Sequence, residues 1–257
     1  MDSIVHYSKV DINTLEITDP KINPKTNSKS SYLNRNGGPF HVQCPPMKFP
    51  FGISHWTDSD SGRTKHWVNC LLDSNKESTI QFKKLIEDIE NMVITHVYKN
   101  SKQFLGKNYS SREVVEALFS SNIKYSKDKD TGEISDKYDP TFKINIPSRD
   151  GEFTIKGGVF DKNQNQISLN DINTKGATAT IIMQCGGIWS GGGGFGLTWR
   201  DAQMQIEPKQ DLKTFMIQKD EDNESDSDDV VEKVNELKVE DSDDSDDSDE
   251  SDEDEKN

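Results

Sequence analysis

The chain has 257 residues, a formal net charge of −15, 31% hydrophobic residues and three cysteines. No apolar run approaches the roughly 18 residues that mark a membrane-spanning helix, and the acidic, interrupted start of the chain fits neither a secretory signal nor a transit peptide. Cys44, Cys70 and Cys185 are far apart with no C-x-x-C, which suits no disulfide framework and points to a reducing, intracellular setting.

Residues 1–37 read as a flexible lead-in, because 20–37 is rich in Pro, Asn, Ser and Lys. From His41 to Leu72 short apolar and aromatic stretches are broken by Pro45-Pro46, Pro50 and the polar turn Asp58–Gly62, the pattern of two strands and a loop. A long helix is predicted from about Ser78 to Asn100. There Phe82, Leu85, Ile86, Ile89, Met92, Val93 and Val97 recur at three- and four-residue spacing. Ser110-Ser111 with Glu113 signals a second, short helix through Val114, Val115, Leu118 and Phe119. Strand signals then return: Thr141–Ile146 with strict alternation, Phe153–Ile155, Val159-Phe160, Ala177–Cys185 and Phe195–Ile206. Strands, then helices, then strands describe an α+β domain, mainly β, over residues 38–218, with a helical insertion at about 78–120.

Residues 220–257 hold 21 Asp and Glu against three Lys, a net of −18, so residues 1–219 carry +3. The Ser-Asp-Asp repeats of this tail cannot bury a core, and residues 219–257 are expected to be disordered. Val230, Val231, Val234 and Leu237 fall at helical spacing within it. They fit a segment that folds on a partner as well as one with weak residual helicity and no role.

Two segments hold all four tryptophans. Met47–Trp56, followed by Arg63, Lys65 and Trp67, interleaves aromatics with cations. Single-strand binding needs that mixture: bases stack on flat rings at about 1–3 kcal/mol each, and Lys and Arg follow the phosphates. The other segment runs from Gly186 through Trp189 and Gly191–Gly194 to Phe195 and Trp199-Arg200. Its glycines fit a hairpin turn, and equally a surface where a ligand backbone approaches closely. Six residues here satisfy G-x-G-x-x-G, but no helix signal or Gly-Lys-Ser/Thr follows, so no phosphate loop is expected. Regular alternation back from Ile206, Met204 and Ala202 puts Trp199 on the polar face and Arg200 inward, unless a bulge shifts the phase. His41-x-x-Cys44 and His66-x-x-x-Cys70 have zinc-like spacing, yet His41 and Cys44 would face opposite sides of a strand. No metal or other cofactor is expected. No G-x-S-x-G, H-E-x-x-H or recognisable carboxylate pair is present, so the protein reads as non-catalytic.

Several blocks, in this order, resemble the single-stranded-DNA-binding proteins of large eukaryotic DNA viruses. They are Pro50–Ser54, Phe82–Gly106 with Tyr98–Gly106 most distinctive, Tyr138–Lys143, Gly187–Trp189 and Phe195–Arg200. The resemblance spans roughly residues 40–218. It implies an OB-type barrel, here five-stranded with the helical insertion, that binds single-stranded DNA in viral replication, recombination or repair. The acidic tail resembles those of phage and bacterial single-strand binders, which mask the DNA groove and recruit replication proteins, although this one ends Asp254-Glu-Lys-Asn257 rather than in an aromatic residue. The expected setting is the host cytoplasm or nucleus, or the virion. The candidate platforms are Trp56, Trp67, Trp189 and Trp199, with Phe49, Phe51 and Phe195, and the candidate phosphate contacts are Lys48, Arg63, Lys65 and Arg200. Competing readings are an acidic-tailed chaperone of basic proteins and a structural virion protein.

Overall fold

In a computed structural model, residues 4–24, 29–191 and 193–209 are described. The acidic tail, and with it the expectation of disorder, lies outside them. The sheet is built along the strand order β1-β3-β8-β9-β7-β6-β5. Here β1 is Ile4–His6, β2 Lys29–Ser31, β3 His41–Gln43, β4 Met47–Lys48, β5 Ile53–Thr57, β6 Thr64–Leu71, β7 Thr141–Ile146, β8 Thr178–Gly191 and β9 Gly194–Glu207. Among the described residues no ladder joins β5 back to β1. The mainly β expectation holds, but the expected OB-like five-stranded barrel is corrected to a sheet that does not close, with short strands added at its flanks.

Three helices sit between β6 and β7: α1 Glu77–Lys99, α2 Ser101–Leu105 and α3 Arg112–Ala117. The apolar stripe on α1 does what its spacing requires. Phe82, Ile86, Ile89, Val93 and Val97 are fully buried, and each such side chain stabilises by about 1.5–3 kcal/mol. Phe82 meets Phe142 of β7 edge to face at 5.5 Å, and Phe142 in turn meets Trp199 of β9 at 6.1 Å. These contacts place α1 against the inward face of the sheet. Ser111 stands at the N-cap of α3, but its hydroxyl bonds Glu113 instead of a backbone amide.

The lead-in is a second correction. Ile4–His6 pairs in parallel with β3, Lys29–Ser31 pairs with β8, and Leu15–Ile17 pairs with Leu33–Arg35. Val5, Leu15 and Leu33 are buried. Backbone ladders, which a Ser-, Asn- and Lys-rich composition does not reveal, tie this region to the sheet.

Candidate nucleic-acid interface

Along each central strand the residues alternate between the core and an outward face. Val68 and Cys70 on β6, Phe142, Ile144 and Ile146 on β7, and Ile181, Met183 and Cys185 on β8 point inward. Residues opposite one another in register share a face, so the outward residues can be followed across the sheet. Ser54 pairs with Trp67, Trp67 with Asn145, Asn145 with Arg200, Arg200 with Gln184, and Gln184 with His41. One row thus crosses five strand boundaries. Beside it, on the same face, Trp56 pairs with Lys65, Lys143 with Asn69, and Lys124 with Thr141.

Aromatic and cationic groups are interleaved here in three dimensions as well as in sequence. The Lys143 ammonium lies 4.2 Å from the centre of the Trp67 ring, and that of Lys65 lies 5.7 Å from the Trp56 ring. Both are cation–π contacts. Trp56 is half exposed. Partial burial pulls the Lys143 ammonium below the usual lysine range, and the positive charges of Lys124 and Lys65 add to that effect. Like charges are therefore crowded on this face, and an anion would relieve them. Among the described residues, no ion pair engages Lys65, Lys124, Lys143 or Arg200. Beyond Asn145 and Arg200 the face dips into a groove of about 690 Å³ that also takes in His41, Gln184, Lys156 and Gln203.

Trp189 is on the same outward side, opposite Gly196, and is 39% exposed. A Cβ at Gly196 would lie 3.0 Å from the Trp189 ring, so glycine is what lets the indole lie flat over the strand. At Gly187, with φ +118°, the backbone carbonyl of Ser31 would be 2.5 Å from a Cβ. The glycines thus admit the protein's own Trp189 and β2, while Gly191 and Gly194 close the β8–β9 hairpin.

The remaining site expectations divide clearly. Trp199, Phe49 and Phe195 are fully buried, which corrects their assignment as stacking platforms. Trp199 packs edge to face on Phe40 and Phe142, and Phe195 on Phe119 at 5.2 Å. Phe49 is held by backbone hydrogen bonds to Ala177 and Gly176. Arg200 is outward and exposed, contrary to the inward position implied by unbroken alternation. The reason is the register: Gln203 pairs with Ile182 and Asp201 with Met183, leaving Ala202 as an extra residue on β9. Arg63 closes the exposed loop between β5 and β6, its carbonyl accepting from the Asp58 N–H at 3.0 Å. Lys48 pairs with Thr178 at the far end of β8, and Phe51 is exposed in the turn before β5; neither belongs to the row through Trp67. Sequence reasoning assigns no nucleic-acid contact to Lys124, Lys143, Asn145, Gln184 or His41, the last of which it weighs only as a zinc ligand. The alternation of Thr141–Ile146 was the available signal for Lys143 and Asn145.

The core under this face contains one unusual group. Asp201 is buried, neither carboxylate oxygen has a hydrogen-bond partner, and burial pushes its pKa up to about 8. The nearby backbone N–H of Gln203 offsets this only in part. Cys44, Cys70 and Cys185 are all buried free thiols, and among the described residues no three His, Cys, Asp or Glu side chains gather as metal ligands.

Solved structures that resemble this fold distantly include two phage proteins. The single-stranded DNA-binding protein from bacteriophage Enc34, in complex with ssDNA, is 13% identical, covering 76% of this chain and 97% of its own, with a TM-score of 0.42. Gp2.5, a single-stranded DNA binding protein encoded by bacteriophage T7, is 10% identical, covering 70% and 98%, with a TM-score of 0.42. No curated protein matches the sequence. Residues 71–219, more than half of the chain, match the model of a family of unknown function, DUF5871, and the chain belongs to that family.

Proposed function

We propose that the outward face of the sheet binds single-stranded DNA without catalysis. The observation that carries this reading is the Trp67–Lys143 contact at 4.2 Å with Lys65 and Lys124 beside it and Trp56 and Arg200 on the same face. The exposed rings of Trp56 and Trp189 and the half-buried ring of Trp67 offer stacking to bases of any sequence, and cations outside ion pairs follow the phosphates. Trp189 extends the platform along β8.

The acidic tail, at −18 against a body at +3, competes for this face from a high effective concentration and is displaced by DNA. Released, it attracts the basic faces of replication proteins. The kinship with the single-strand binders of large eukaryotic DNA viruses rests on the sequence blocks alone. A role in viral replication, recombination or repair, within the infected cell, belongs to the same proposal.

Titration of oligo-dT into the full chain, read by tryptophan emission and by gel shift, tests the reading. Quenching with a shifted band is expected, and absence of both refutes it. Binding of histones by the isolated tail, with no DNA binding by the body, would instead favour the chaperone of basic proteins.

A further inference from the structure

Past Arg200 the extra residue Ala202 turns Gln203 and Gln205 outward, while Met204 and Ile206 stay in the core. On the neighbouring strands Ile182 and Thr180 share that side, and Gln43 pairs with Ile182. With Phe160 these residues line a groove of about 410 Å³. It adjoins the groove beside Arg200 through Ile182 and Gln203, which line both. From Arg200 to Gln205 is about 17 Å along the strand, room for a chain of a few nucleotides.

None of the side chains lining this second groove is charged, so it does not attract phosphate. Four glutamines, Gln43, Gln164, Gln203 and Gln205, line it, and hydrogen bonds orient the amides of the last two. The Gln203 Nε2 donates to the Gly157 carbonyl at 2.8 Å, and the Gln205 Nε2 to the Asp161 carbonyl at 3.4 Å. A carbonyl only accepts, so the NH₂ end of each amide must face the loop and the Oε1 must face away from it. The Gln203 and Gln205 amide oxygens are thus left uncommitted to the loop, beside the Phe160 ring and the further amides of Gln43 and Gln164.

We infer that this groove receives a base of the bound strand and favours bases with an exocyclic amino group over uracil or thymine. An amino group projects donor hydrogens toward the glutamine oxygens. The single N3–H of uracil is flanked by its own two carbonyls, which those oxygens repel. This rests on the proposed single-strand binding, and the test separates the two.

Oligo-dC and oligo-dU of equal length differ at the 4-position and at the N3 proton, and are titrated into the full chain and into the Gln203→Met/Gln205→Met variant. We expect the ratio of dC to dU affinity to fall about fivefold in the variant, the size of one hydrogen bond, with dU affinity retained as the control for folding. A ratio that is unchanged, or an equal loss for both oligonucleotides, overturns the inference while leaving single-strand binding intact. Failure of the unaltered chain to bind either oligonucleotide overturns both.

Discussion

Replacing Lys65 and Lys143 together by Ala tests whether the face through Trp67 is where phosphates are held. For single strands, log K falls with log salt by about 0.7 per phosphate contact. If Lys65, Lys124, Lys143 and Arg200 each meet one phosphate, the slope is about −2.8, an affinity loss of about fiftyfold between 50 and 200 mM salt. Removing two contacts halves the slope to about −1.4, and the loss over the same range shrinks to about sevenfold. Fluorescence anisotropy of labelled oligo-dT at several salt concentrations reads both slopes, with every protein truncated after Lys219 so that displacement of the acidic tail does not enter them. Lys84→Ala/Lys99→Ala is the matched control, because both lysines are exposed on α1, which packs on the opposite side of the sheet. A double variant of Lys65 and Lys143 that keeps the full slope, or a control that loses as much, refutes the assignment.

Trp67→Ala should weaken oligo-dT binding by about 1–3 kcal/mol, one stacked base, whereas Trp199→Phe should lower the midpoint of urea unfolding and leave affinity unchanged; the same titrations read both. Truncation after Lys219 should raise oligo-dT affinity at low salt, and unchanged affinity would rule out masking by the tail. Asp201→Asn should flatten the dependence of stability on pH. With its pKa raised from 3.8 to about 8, folded Asp201 keeps a proton that the unfolded chain has released, so stability falls as pH rises from about 4 to 8 and levels off above. At pH 7 the cost is at most about 4 kcal/mol, and parallel urea-unfolding curves for wild type and variant across pH 5 to 8 would contradict it.

What could be read from the sequence depended on whether an element's signal was local. The stripe from Phe82 to Val97 requires a helix with one buried side, and α1 begins and ends one residue from the predicted bounds. The strict alternation of Thr141–Ile146 requires a strand with one buried face, and β7 spans those residues with Phe142, Ile144 and Ile146 inward. Long-range pairing left no such mark. Lys29–Ser31 reads as linker, yet it lies beside Trp189 in an antiparallel ladder. Whether the sheet closes into a barrel depends on its edges, β1 and β5, and their local residues do not encode a partner.

The site turns on a single backbone irregularity that no alternation rule contains. Counting by twos back from Ile206 makes Met204, Ala202 and Arg200 one face and Trp199 part of the other. The extra residue at Ala202 divides β9 into two phases. Below it Trp199 and Asp201 face the core; above it Met204 and Ile206 do. The outward set is consequently Arg200, Gln203 and Gln205, a cation followed by two amides. The same bulge leaves a carboxyl in the core without a hydrogen-bond partner. Such groups cost stability, and a regular strand would have put Asp201 in water. The cost is intelligible if the outward phase is what matters, because shifting β9 back by one residue would bury Arg200 and withdraw the cation that links the Trp67 row to the glutamine groove.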